Sequence, residues 1–124
     1  HRFHAIDVVT DPTSYDMGAG SGSAAVEFSA GSISSPGSNA TGIGRSVKWN
    51  DGFHRGYAVI DLTPDRVECD FYGFADLAKL QSWLPDERWL AGFGAAHDAP
   101  SLVGRRRALG PNNRPPLARS SAGP

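Results

Sequence analysis

The chain has 124 residues, 40% of them hydrophobic, with 12 Lys and Arg against 13 Asp and Glu, for a formal net charge of −1. That length suits one small globular unit at most, in which a core is possible in principle but is diluted by 15 Gly and nine Pro, and the charge balance argues against general nucleic-acid binding by the body of the chain. No apolar run approaches the roughly 18 residues that a membrane-crossing helix needs, and a single cysteine, Cys69, cannot form a disulfide within the chain.

The sequence opens at His1, without an initiator Met, and runs straight into His4-Ala5-Ile6-Asp7-Val8-Val9, which has the look of a strand. This start is read as a truncation. No basic region followed by an apolar stretch marks a targeting signal.

Residues 3–9 are the first expected strand, and Asp11-Pro12-Thr13-Ser14 the first turn. Gly18 to Ser23 is glycine-rich and reads as a flexible loop. A phosphate-cradling loop is excluded there, because no Gly-Lys-Ser/Thr follows. Ala25-Val26-Glu27-Phe28 alternates like a half-buried strand and runs on through Gly31-Ser32-Ile33-Ser34-Ser35 to a Pro36-Gly37 stop. Residues 38–52 read mostly as loop, with Val47-Lys48-Trp49 as a short apolar anchor. Asn39-Ala40-Thr41 is formally a glycosylation sequon and carries little weight.

The clearest local structure is a hairpin. Tyr57–Leu62 and Val67–Tyr72 alternate, and Thr63-Pro64-Asp65-Arg66 lies between them as a turn. That loop pairs Leu62 with Val67, Ile60 with Cys69 and Ala58 with Phe71, all on one dry face. Asp61, Glu68 and Asp70, flanked by Tyr57 and Tyr72, form a wet face. A two-stranded hairpin is marginal alone, so the dry face needs a partner.

Residues 75–83 have helical spacing through Leu77, Leu80 and Trp83 but are short and bounded by Pro85, and read as a helix or a connector. Trp89-Leu90-Ala91-Gly92-Phe93 reads as a further short strand or packing segment. From Ala99 onward no periodicity remains. Arg105-Arg106-Arg107, Gly110-Pro111 and Pro115-Pro116 mark a basic tail, expected to be disordered and solvated.

No complete catalytic constellation is visible. The four histidines are His1, His4, His54 and His97. His1, His4 and Asp7 follow one another at three-residue steps and would share a helix face, but the segment is extended. There is no Gly-x-Ser-x-Gly elbow and no His-Glu-x-x-His metal pair. His54 is assigned to the surface and His97 to an exposed loop. Cys69 reads as a small buried hydrophobe.

Two segments carry a family resemblance. AVEFSAGSISSPG, Ala25 to Gly37, and HRGYAVIDLTPDRVECDFY, His54 to Tyr72, are similar to segments near the carboxyl end of the catalytic domain of alkaline phosphatase D-type (PhoD-like) metallophosphatases. They occur in the same order and at about the same separation. The family's upstream segment reads Gly-Asp-x-His, commonly followed by x-x-Trp-Ala. Here His1-Arg2-Phe3-His4-Ala5 keeps the His and the Ala, with His4 in place of the Trp.

The resemblance implies an α+β fold, a metallophosphatase β-sandwich flanked by helices, of which this chain supplies mostly strands and loops. Residues 1–98 would be the carboxyl-terminal part of the domain and 99–124 the tail. The implied activity is hydrolysis of phosphate mono- or diesters by the whole enzyme, with this piece inactive alone. Iron, calcium or other metal ions would be bound mostly by residues outside the chain, and His1 is the one metal-site residue implied within it. The partners would be a phosphate ester and the missing amino-terminal part of the domain. Export to the periplasm or medium is common among such relatives. The alternative is a non-catalytic β-rich accessory or binding module derived from that fold.

Overall fold

The computed structural model describes residues 2–35, 37, 44–74 and 87–105. They form seven strands: β1 (Phe3–Val9), β2 (Ser23–Ser29), β3 (Val47–Asp51), β4 (Arg55–Leu62), β5 (Arg66–Phe74), β6 (Glu87–Ala96) and β7 (Ala99–Arg105). All pairings are antiparallel. One sheet has the order β2-β1-β3 and the other β4-β5-β6-β7.

This corrects the expected fold class. Among the described residues the chain is all-β, two antiparallel sheets with no flanking helix. The expectation of helices rested on the resemblance and on the spacing in residues 75–83, and that segment lies outside the described residues.

The sheets face each other across an aromatic core. Alternation along β1 turns Phe3, Ala5 and Asp7 inward, and all three are fully buried. Cys69 and Phe71 of β5 meet them from the other sheet, with Ala91 of β6 and Leu102 of β7. The ring of Phe71 is the hub: Trp49 lies 4.9 Å from it, Phe3 5.7 Å and Phe28 6.2 Å between centroids. Pairs at such spacings add about 0.5–1.5 kcal/mol each beyond the area they bury.

The β4–β5 hairpin has the register expected, with Ala58 opposite Phe71, Ile60 opposite Cys69 and Leu62 opposite Val67. Its dry face is only partly covered. Ala58 packs against the core, but Ile60 remains 54% and Leu62 78% exposed.

The other face of the hairpin departs from expectation more sharply. Asp70 is 1% exposed and Tyr72 is buried. The cause is a bulge in the neighbouring strand: Phe71 pairs with Ala91, but Tyr72 pairs with Trp89, leaving Leu90 unpaired. The slip of one residue moves Trp89 to the Asp70 side, where its indole Nε1 donates to Asp70 Oδ1 at 2.9 Å. Leu90 goes to the core. Arg105, opposite Gly92 on β7, closes the other side of Asp70 with Nη2 at 2.7 Å.

A second bulge acts in the same way on the other sheet. Ala5 pairs with Trp49, yet Ile6 pairs with Val47, so Lys48 is the extra residue. Its ammonium reaches the buried Asp7 at 3.4 Å. The segment read as a loop anchor is therefore an edge strand, whose partly buried Trp49 packs against the core. The expected boundary after Asp98 falls inside the β6–β7 hairpin, since β7 runs from Ala99 to Arg105. The remainder of the expected tail, residues 106–124, lies outside the described residues.

The glycine-rich stretch is a built turn. Asp16 Oδ1 accepts the amides of Gly18 and Ala19 at 2.8 and 3.1 Å. Gly20 has φ 72°, and any side chain there would overlap Ser101 of β7.

Candidate functional site

Polar side chains gather where β3 turns into β4. Phe3, which opens β1, pairs with Asp51, which closes β3, so the first described residues of the chain run beside this turn.

Asp51 organises it. Its Oδ1 accepts the backbone amides of Phe53 and His54 at 2.8 and 2.9 Å. This is the self-capping turn that aspartate favours. Its second oxygen, Oδ2, accepts from His54 Nδ1 at 2.8 Å. Burial pushes the Asp51 carboxyl up, but the His54 amide, the His54 ring and the Phe53 amide together outweigh it. The carboxyl is held below its ordinary value of 3.8. With Nδ1 committed to a carboxylate, the imidazole is fixed in orientation and Nε2 is its remaining polar atom. The Phe53 ring meets it edge-on, 5.1 Å between centroids.

Arg55 follows directly. Its Nη1 donates to the carbonyls of Phe53 at 2.6 Å and His54 at 3.3 Å. Its Nε is buried with no hydrogen-bond partner among the described residues. The loop after β2 leans on the same turn. Gly56 N donates to Ser32 O at 3.2 Å, and a side chain at Gly37 would collide with the Gly52 carbonyl. Ser32 Oγ donates to Ser35 O at 2.8 Å, which holds that loop in place.

Of the histidines considered from sequence, His1 lies outside the described residues. His4 is on the outward side of β1, with Nε2 2.8 Å from Glu27 Oε1. His97 is exposed in the β6–β7 turn. His54, assigned to the surface from sequence, has a side chain 21% exposed and hydrogen-bonded to Asp51. Asp51 and Arg55 were not singled out at all. The available signal was Asp-x-x-His, a spacing that lets one carboxylate cap the turn and hold the ring.

The structure does not bring His4, His54 and His97 together. Among the described residues no group of three or more His, Cys, Asp or Glu could hold a metal ion. Asp51 and His54 satisfy each other, and His4 is engaged by Glu27, so these residues do not by themselves fit a metal centre. Cys69 is buried, and burial, then the neighbouring Asp70, push its thiol up to about 12, against a smaller opposing effect of Arg105. It is no nucleophile in this state.

Compared with known proteins, the chain matches no family, no curated protein and no solved structure. No described helix is long and apolar enough to cross a membrane.

Proposed function

We propose that this chain is part of the β-sandwich of a metal-dependent phosphatase of the alkaline phosphatase D type, acting on phosphate mono- or diesters. It contributes strands and the Asp51–Arg55 turn to the active-site end and does not hold a complete metal centre. One observation carries the reading beyond the sequence. The two segments that resemble the family, Ala25–Gly37 and His54–Tyr72, close on one another through the Gly56 N–Ser32 O bond and the seating of Gly37 against Gly52. Segments of one active-site wall are expected to meet in this way. The metal ions, iron or calcium among them, and the role of His1 as a ligand rest on the resemblance alone.

A second reading has its own support. The aromatic core around Phe71 is made by residues of both sheets within this chain, as a self-contained accessory or binding module would have it.

Hydrolysis of a chromogenic phosphate ester separates the two. The chain is compared with a form carrying upstream sequence, each with and without iron and calcium. Metal-dependent activity confined to the longer form, and lost in its His1→Ala variant, supports the phosphatase reading. Inactivity of both forms favours the binding module. Activity of the short chain alone overturns the claim that its centre is incomplete.

A further inference from the structure

We infer that the open edge of β4 is a self-association surface, on which a second copy of this chain pairs antiparallel with Ile60 on the twofold axis. The inference is independent of the phosphatase reading.

The hairpin ladder decides which backbone groups are left over. At the mouth of the turn, Thr63 N donates to Arg66 O at 2.9 Å. From there the residues that exchange hydrogen bonds with β5 are every second one, Asp61, Val59 and Tyr57. The amides and carbonyls of Ala58, Ile60 and Leu62 therefore point away from β5. Gly56 belongs to the same outward set, and its amide donates outward to Ser32 O at 3.2 Å. That contact closes the edge at Gly56. Beyond it, among the described residues, no strand but β5 pairs with β4.

The remaining edges are guarded. β2 and β7 lean on one another where Ser23 Oγ donates to Pro100 O, and Leu102 of β7 is bonded to Asp7. β3 carries a bulge at Lys48. β4 has no such device. Its register with β5 runs unbroken from Arg55 to Leu62. Residues 57–62 contain no Lys and no Pro, and their one charge is Asp61. The side chains of the outward-bonding residues share the dry face, where Ile60 is 54% and Leu62 78% exposed. A regular edge with apolar side chains is the kind that recruits another strand.

The pattern selects a second copy, because it is complementary to itself under a twofold rotation. With Ile60 opposite Ile60 of the second copy, Ala58 of each chain faces Leu62 of the other. Every outward group from Ala58 to Leu62 then gains a partner, and each exposed Leu62 is laid beside an Ala58 that already packs on the core. On the opposite face Asp61 meets Val59. The neighbouring twofold registers are worse. Centring on Asp61 sets two like charges face to face. Centring on Val59 calls on the Gly56 amide, which Ser32 already holds. Residues 58–62 make a short contact beside the roughly 20–30 residues a side of a standard interface, so the pairing is weak and depends on concentration.

The test is sedimentation equilibrium of the 124-residue chain from about 10 µM to about 1 mM. The apparent mass should climb from 13.1 kDa toward twice that value. Ile60→Lys and Leu62→Lys place a charge on the paired face at exposed positions, and each should weaken association at least about tenfold with the urea midpoint of unfolding unchanged at low concentration. Ile60→Cys reads the register. Its sulfur would face its own copy across the axis and should cross-link to a covalent dimer under mild oxidation, while the buried Cys69 leaves the parent chain uncrosslinked. Leu62→Cys should not cross-link, since the two sulfurs would stand about 13 Å apart along the strands. A monomer at every concentration, or a dimer undiminished in both Lys variants, overturns the surface. Cross-linking through Leu62→Cys instead of Ile60→Cys overturns the pairing. A form with upstream sequence that stays monomeric while the 124-residue chain dimerises would give the edge to the upstream segment and overturn a second copy as its occupant.

Discussion

The backbone amide of Leu102 on β7 donates to Asp7 Oδ1 on β1 at 2.8 Å, across 95 positions of sequence and between the two sheets. The same carboxylate accepts the Tyr15 hydroxyl at 2.8 Å and faces the Lys48 ammonium, yet it is fully buried. A buried carboxylate is tolerable only when its oxygens are bonded and its charge is matched. Here the matching cation is supplied by the bulge in β3. Asp7→Ala should leave the Leu102 amide and the Tyr15 hydroxyl without their acceptor and the Lys48 ammonium, still bonded to Met17 O, without its counter-charge, and cost roughly 1–3 kcal/mol. Urea unfolding followed by tryptophan fluorescence measures this as a lowered midpoint. A loss within the scatter of surface substitutions would mean that the sheets are not joined here.

Asp70 presents the same problem on the far side of the second sheet, with Trp89 and Arg105 as its partners. Space for the pair exists because position 92 has no side chain. A Cβ on Gly92 would stand 2.6 Å from Asp70 Oδ1 and 3.2 Å from Arg105 Nη2. Gly92→Ala and Arg105→Ala should both destabilise, the latter by roughly 3–5 kcal/mol because Asp70 stays buried without its cation. The double variant Asp70→Asn with Arg105→Met removes both charges and should recover part of the loss. If the double variant is no better than Arg105→Ala in urea unfolding, the ion pair is not what the site is built on.

The contrast between the two hairpins explains how far the sequence could be read. The β4–β5 register was legible because two unbroken alternating runs flank a four-residue turn, and the pairing keeps that alternation throughout. The face of Asp70 was misread as wet because its cover comes from Trp89 and Arg105, far along the chain and re-aimed by a bulge. Period-two reasoning cannot anticipate a one-residue slip. The same effect hid β3, where Lys48 interrupts the alternation. In β6 and β7, small residues such as Ala91, Gly92, Gly94 and Ala95 give a weak apolar signal. The candidate site was less legible still. His54 was noticed, but Asp51 matters through a turn geometry that composition does not display.

Cys69 offers a probe of the core between the sheets. Its thiol is fully buried and pushed up to about 12 from an ordinary 9.0. A buried thiol pushed up in this way carries little thiolate near neutral pH. A thiol-reactive disulfide reagent should therefore label the native chain only as fast as the sheets open, and the unfolded chain at once. The labelling rate should rise in Asp7→Ala, which loosens the same interface. Prompt stoichiometric labelling of the native chain would show that β5 is not sandwiched as described.

Asp51 predicts a pH dependence whose direction can be worked out. Its carboxyl is held below 3.8 in the folded chain, against burial, by the two amides and the His54 ring. A group whose folded value is depressed contributes stability that is fully present above its unfolded value and is lost as pH falls through the folded value. The contribution should thus be constant through neutral pH and fade below about pH 4. Asp51→Asn removes the charge and cannot supply the same acceptor to both the amides and the ring. The urea midpoint of the variant should lie below that of the parent at neutral pH, and the two should converge as the acid limit is approached. A gap that stays constant down to the lowest pH at which the chain folds would assign Asp51 a purely steric role. It would also mean that the carboxylate's charge is not what holds the His54 ring.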